Sequence, residues 1–387
     1  MSTISPSFHH SSYTQIASLF DAALAHESIC RQWAHASMKK IILFGAGIQG
    51  RKTLNILRSV GIEPICFVDE TRAKQGSYEG GLPILSLTEA LSAAGKDSTI
   101  IVCLFTPNHR YIETKNRIIS KCNTVTVLPF FSAWLACLGN EFKCYYLCAP
   151  EDESNRLKIY QKLYSELNDV ESRSTLLNHL RLRFFHDASI SPTPRTSTPF
   201  LDNTLSKNDL VYVDCGAYDG DTVQEFLINS KHNFQYIFAL EPDIGNRKKM
   251  EVRFQMLPNH LIGKISIIPK AIWKESCDIG FNSAGDMSSL IDSNSNTKIE
   301  AISLDDLLCT IKGPIHIKLD VEGAEIEALL GARELMSRSR PTWAISVYHK
   351  PDDLAMAYVH LSQSRHQYKF SLRCHGGDGT DLMLYAW

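Results

Sequence analysis

Residues 13–36 place Ile16, Leu19, Phe20, Ala23 and Leu24 on one helical stripe, which predicts a helical lead-in over 1–36. The pattern then changes. Short apolar runs ("KKIILFGAG", "EPICFVDE", "STIIVCLF", "NTVTVLPF") alternate with the helix-type stretches "QGRKTLNILRSVG" and "LTEALSAAG". Strands alternating with helices predict a parallel sheet, here a small α/β domain over 37–140. From 141 to 208 the reading is a helical connector and linker. Pro150 followed by Glu151, Asp152 and Glu153 suits a helix start, where carboxylates meet the positive end of the macrodipole. Leu157, Tyr160, Leu163, Tyr164, Leu167 and Val170 continue at helical spacing, and "ASISPTPRTSTPFLDNT" reads as a linker or mobile loop.

A second α/β run fills 209–387, with strands expected in "LVYVDCG", "YIFALEP", "KISIIPKAIW", "IHIKLDV", "TWAISVYH", "YKFSLRCH" and "LMLYAW". Only "GGDGTD" separates the last two. That loop is too short for a crossover helix, so this pair must be antiparallel.

Composition narrows the function classes. A chain of 387 residues exceeds one typical core, in keeping with two domains. Lys+Arg 40 against Asp+Glu 42 gives no overall basic excess, so neither nucleic acid nor an anionic membrane surface is an expected partner. No apolar run approaches the ~18 residues of a membrane span, and the N-terminus lacks an apolar secretory core. The 11 cysteines form no CxxC pair, and Cys137, Cys144 and Cys148 have no matching histidines. Zinc is therefore not expected, and reduced thiols in a cytoplasm are.

Candidate chemistry centres on "YVDCGAYDGDT". An open α/β sheet binds ligands beyond the carboxyl ends of its strands, at a switch point in strand order. Gly216 and Gly220 would turn there, ringed by Asp214, Asp219 and Asp221. Carboxylates repel a pyrophosphate but suit a cation or hydroxyl and amine donors. S-adenosylmethionine, with a positive amine and sulfonium and no phosphate, fits. Glu241, in "ALEPD" 21 residues beyond Gly220, would accept its ribose hydroxyls. The expected cofactor set is Asp214, Gly216, Ala217, Asp219, Gly220, Thr222, Glu241 and Pro242. The plainer alternative is a loop whose aspartates cap a helix.

In "HIKLDVEG", Lys318 and Asp320 share one strand face, and Glu322 joins them if the strand continues. His349 ends the following strand. Lys318, Asp320, Glu322 and His349 are the catalytic candidates at a pocket rim. The alternatives are a Lys–Asp ion pair with helix-capping acids and, for His349, a metal ligand or a hydrogen-bonded loop residue. One histidine with carboxylates names no ion, so no metal is assigned. Glu325 fits a first helical turn equally well. "SLDD" reads as a helix cap through Ser303 and Asp306, and "GDMSSL" as a pocket lining or an ordinary loop.

Taken in order, "VYVDCGAYDGDT", "ALEPD", "ISLDDLL", "IHIKLDVEGAEIEALLGA" and "ISVYHKPDDL" resemble the FkbM-type methyltransferases, a branch of the class I S-adenosylmethionine-dependent enzymes. The resemblance covers roughly 209–387. It implies a doubly wound seven-stranded sheet with an antiparallel last hairpin. It also implies O-methylation of a sugar, glycolipid or polyketide-like acceptor.

A second glycine loop, "FGAGIQG", matches GxGxxG through Gly45, Gly47 and Gly50, with Asp69 19 residues beyond Gly50. It is a candidate site for NAD or a nucleotide-sugar. No Tyr-xxx-Lys pair accompanies it. Rossmann-like accessory domains with a stretch like "VDETRAKQGSYEGGLPIL" occur fused to methyltransferase modules, so the resemblance does not require hydride transfer. Two other function classes stay open: an NAD-dependent oxidoreductase or epimerase working through the first domain, and a non-catalytic metabolite-binding or docking protein.

Overall fold

The computed structural model describes residues 15–23, 28–95, 97–195, 209–231, 233–282, 290–291, 295 and 297–387. Two compact units result. One comprises Met1–Ser165, Arg173–Arg195 and Gly376–Asp381; the other comprises Glu166–Ser172, Thr196–His375 and Leu382–Trp387.

The first unit is built on a six-stranded sheet: β1 (Lys40–Phe44), β2 (Cys66–Val68), β3 (Tyr78–Glu79), β4 (Leu82–Leu85), β5 (Ser98–Val102) and β6 (Thr126–Pro129). The order is β3-β4-β2-β1-β5-β6, parallel except for the β3–β4 pair. Ile41–Phe44, Cys66–Val68 and Ile100–Val102 are buried, which explains their continuous apolar runs. Strand order reverses at β1, so the turn after it opens into the crevice beside the helix Ile48–Ser59. Ile16, Phe20 and Ala23 of the lead-in are buried. The interior also holds an ion pair: Arg183 donates to the Glu153 carboxylate at 2.6 and 2.7 Å, and Tyr160 donates to its other oxygen at 3.1 Å. Several donors on one buried carboxylate offset the cost of removing it from water. At the start of the helix Tyr111–Lys121 the N-cap residue, Arg110, makes no side-chain cap bond. Asp378 accepts from the Tyr111 N–H instead, at 2.8 Å.

The second unit carries a seven-stranded sheet: β7 (Val211–Cys215), β8 (Tyr236–Leu240), β9 (Ile265–Ile268), β10 (Ile315–Leu319), β11 (Thr342–Ser346), β12 (Phe370–Cys374) and β13 (Leu382–Ala386). The order is β9-β8-β7-β10-β11-β13-β12, and β13 runs antiparallel to both its neighbours, as the short last loop requires. On the outer side of β12, Asn168 N donates to Phe370 O at 2.8 Å, and Arg373 is paired with Asp169 at 3.0 Å. The expected doubly wound class I sheet with its antiparallel hairpin is present, as is the smaller Rossmann-like sheet before it.

Three local expectations give way. "KISIIPKAIW" is not one strand: beyond Pro269, which has no N–H to donate, Ala271–Ile272 pairs with Lys298–Ile302 in a separate small sheet. The helical run through Val170 is two helices, Leu157–Glu166 and Val170–Phe185. The strand ends fall short: β10 stops at Leu319, one residue before Asp320, and β11 stops at Ser346, so His349 lies three residues beyond its strand and does not end it. Residues 196–208 of the linker and most of "GDMSSL" lie outside the described residues. Among the described residues no helix is long and apolar enough to cross a membrane.

Candidate functional site

Lys318 on β10 sits in register with Asp214 on β7, so both side chains leave the sheet on the same face. Lys318 Nζ lies 3.2 Å from Asp214 Oδ1, 3.3 Å from Gly216 O and 3.5 Å from Asp320 Oδ2. Thr222 donates to the other Asp214 oxygen at 2.8 Å. Burial opposes charge on Lys318, but the Asp214 and Asp320 carboxylates outweigh it and raise its pKa. Burial raises the Asp214 pKa even against Lys318.

The glycines between them have a different use from the close ligand approach that glycine allows. Gly216 has φ +79°, and a Cβ there would meet Asp320 O at 1.9 Å. Gly220, at φ +84°, would meet Phe254 and Met250 at 2.7–2.9 Å. The first lets the turns after β7 and β10 cross; the second seats the helix Asp221–Asn229 against Ile244–Phe254. Ala217 is buried, with its N–H on Leu240 O at 3.0 Å. Asp219 is turned toward Arg253, which forms an ion pair with its carboxylate and donates to its carbonyl.

Glu241 directly follows β8, almost wholly buried. Its Oε2 accepts from Tyr218 N at 3.0 Å and its Oε1 from Asp243 N at 2.9 Å. Burial raises its pKa despite those two bonds. Pro242 follows, and its carbonyl accepts from Arg247.

Beyond β10 the chain turns back. Glu322 has φ +52° and Gly323 φ +94°, so Glu322 reaches the site through a left-handed turn and not by strand alternation. Glu322 Oε2 lies 3.5 Å and Asp320 Oδ1 3.8 Å from His349 Nε2. Glu325, which the sequence left open between a site role and a first-turn acid, is fully buried at the hub. Its Oε1 faces His349 Nδ1 at 2.9 Å and accepts from Val321 N at 2.8 Å and Gly323 N at 3.4 Å. Burial lowers the His349 pKa, but Glu325, Asp320 and Glu322 together hold it up at about 10. Asp353 is also buried beside this cluster; burial and the Glu325 charge push it up to about 7. The one legible sign of Glu325 was a third acid in "DVEGAE". The Ser303 cap is present, accepting from Asp306 N at 3.0 Å.

In the first unit, Gly45 (φ +113°) makes the tight turn and Gly50 lies under the loop, where a Cβ would meet Gly45 O at 2.0 Å. A Cβ on Gly47 would meet nothing within 4 Å. Asp69 accepts from Ala46 N at 3.1 Å, Thr71 N at 2.9 Å and Lys74 Nζ at 3.0 Å.

The model of the methyltransferase FkbM domain matches residues 214–371. The fold is similar to that of a methyltransferase FkbM from Methylobacillus flagellatus KT, with TM-score 0.78 and 22% identity, over 97% of this chain and 100% of that one. A UDP-D-quinovosamine 4-dehydrogenase from Vibrio fischeri is 31% identical over 24% of this chain and 76% of its own, with TM-score 0.20. A precorrin-6y C5,15-methyltransferase from Geobacter metallireducens GS-15 is 14% identical over 48% and 84%, with TM-score 0.30. At these scores neither of the last two bears on the fold. No curated protein matches the chain. The family likeness thus lies in residues 214–371, which match the methyltransferase FkbM domain.

Proposed function

We propose that the chain is an S-adenosylmethionine-dependent methyltransferase that methylates a hydroxyl of a sugar, glycolipid or polyketide-like small molecule. The observation that carries this reading is the set of acceptors at the carboxyl ends of adjacent strands: Asp214 on β7, Glu241 directly after β8 and Asp320 directly after β10. The cofactor offers an ammonium, a sulfonium and ribose hydroxyls, all of which suit such a set. Each Glu241 oxygen takes one backbone N–H, and a carboxylate so held also suits a ribose hydroxyl. S-adenosylmethionine supplies the activated methyl group when bound.

In this reading Asp214, Gly216, Ala217, Asp219, Gly220, Thr222, Glu241 and Pro242 form the cofactor side. Lys318 neutralises Asp214 and fixes its carboxylate. Asp320, Glu322 and His349 orient the acceptor hydroxyl, and the Asp320 carboxylate relieves it of its proton while His349 stays protonated beside it. Holding the reacting groups in line supplies up to ~7–11 kcal/mol in favourable cases, and proton removal a further factor of about 100 to 10,000. The catalytic domain is placed at 209–387 and the accessory domain at 37–140, with 1–36 before it and the connector 141–208 between, Gly376–Asp381 being counted with the first unit. None of the cysteines whose side chains are described forms a disulfide, which suits a reducing cytoplasm.

A second reading has one observation in its favour. Gly47 is open, and the helix behind it carries no acid in its first turn, which suits the phosphates of NAD or a nucleotide-sugar at Gly45, Gly47, Gly50 and Asp69. Calorimetry on the full chain separates the readings. S-adenosylhomocysteine should bind, and Asp214→Ala should abolish that binding. Binding of NADH alone would favour an oxidoreductase or epimerase; binding of neither would favour a docking protein.

A further inference from the structure

Two buried atoms of the second unit face each other without a hydrogen-bond partner. They are His349 Nε2, on a side chain 4% exposed, and Asp320 Oδ1, 3.8 Å away. Glu322 Oε2 stands 3.5 Å from the same nitrogen. These separations are long for hydrogen bonds. They lie near the roughly 3–3.5 Å between neighbouring ligands of a cation with ~2.1 Å bonds. The opposite ring nitrogen is held by Glu325, itself fully buried and braced by two backbone N–H groups. A carboxylate behind a histidine is the usual means of aiming the far nitrogen at a metal. One donor atom from each of Asp320, Glu325 and His349 lies within 4.8 Å of the others. Charge agrees: four carboxylates, Asp214, Asp320, Glu322 and Glu325, gather around Lys318 and His349.

We propose that Asp320 Oδ1, Glu322 Oε2 and His349 Nε2 form a binding site for a divalent cation, with Glu325 positioning the imidazole. One imidazole with two carboxylates suits a cation of the Mn²⁺ or Mg²⁺ class better than a thiophilic one. Three protein ligands leave open positions, and an acceptor hydroxyl placed in one would lose its proton more readily. Only this last use rests on the methyltransferase reading; the site itself does not.

The test titrates Mn²⁺ into the full chain without cofactor and follows free Mn²⁺ by electron paramagnetic resonance. One ion per chain is expected, with ¹⁴N modulation in the pulsed spectrum from the His349 nitrogen. Glu325→Gln should weaken binding about 10- to 100-fold. Asp320→Asn and His349→Gln should weaken it further, and Asp278→Asn, at an exposed carboxylate elsewhere, should not. No stoichiometric ion, a bound ion lacking nitrogen coupling, or affinity unchanged in both Asp320→Asn and His349→Gln would overturn the site. The nitrogen coupling is read on wild-type protein, so a misfolded variant leaves that arm decisive. Binding of S-adenosylhomocysteine is measured separately without metal, so failure of the cation site and failure of the cofactor assignment are told apart.

Discussion

The two glycine loops share a plan and differ in charge. Each follows the strand where sheet order reverses, each leads into a helix, and in each an acid just beyond the neighbouring strand clamps a loop N–H: Asp69 on Ala46, Glu241 on Tyr218. The first loop leaves Gly47 open before a helix start without acids. The second fills its junction with a buried Lys318–Asp214 pair and puts Asp221 in the first helical turn. One backbone design thus presents a phosphate-compatible surface in one unit and a cation-compatible surface in the other.

The largest expected effect tests that difference in burial. Lys318→Met strands a wholly buried Asp214 and should cost about 3–5 kcal/mol in urea unfolding. Lys74→Met breaks the half-exposed partner of Asp69 and should cost less than ~1 kcal/mol. Equal losses would erase the distinction.

Next come the glycines. Gly216→Ala drives a methyl into a backbone carbonyl at positive φ and should destabilise by about 2–4 kcal/mol. Gly47→Ala should stay within about 0.5 kcal/mol, because its φ is −105° and its surroundings are open. A destabilised Gly47→Ala protein would show that the first loop, too, is closed by its own chain.

Smaller still, Glu241→Gln should weaken S-adenosylhomocysteine binding by about 1–2 kcal/mol in calorimetry, with Asp69→Asn leaving it unchanged. Loss in both would mean that the cofactor assignment to the second loop is wrong.

The finest contrast is in pH dependence. Burial works against the Asp69 charge, but Thr71, Lys74 and Ala46 outweigh it and lower its pKa. Its stabilisation is therefore present above the unfolded value of about 3.9 and lost as pH falls through the lower folded value. Glu241 is raised, so its ionisation opposes folding. The protein gains stability from Glu241 as pH falls through its folded value toward about 4.3. Denaturation curves across acid pH should show Asp69→Asn removing a loss and Glu241→Gln removing a gain. Slopes of one sign would contradict the pairing described for one of the two.

What could be read from the residues was local. The alternation of strands with helices, the two strand–glycine–helix turns, the Ser303 cap and the antiparallel last pair all depend on neighbours a few positions apart. What could not be read depends on distant or unusual geometry. Glu325 reaches His349 only because Glu322 takes a left-handed conformation, which an acid in a presumed strand does not announce. Asp219 meets Arg253 from a helix that begins 25 residues later, so its loop position gave no hint of that partner. Asp378 looked like a plain hairpin residue, yet it serves the start of Tyr111–Lys121.

That last placement bears on how the chain is made. Synthesis usually lets an N-terminal domain fold while the remainder is still being translated. Here Gly376–Asp381 belongs to the first unit, and Leu382–Trp387 supplies the second unit with the strand between β11 and β12. Neither unit can be finished until residues 376–387 have left the ribosome, and a gene cut between the halves would yield two incomplete bodies, not two domains.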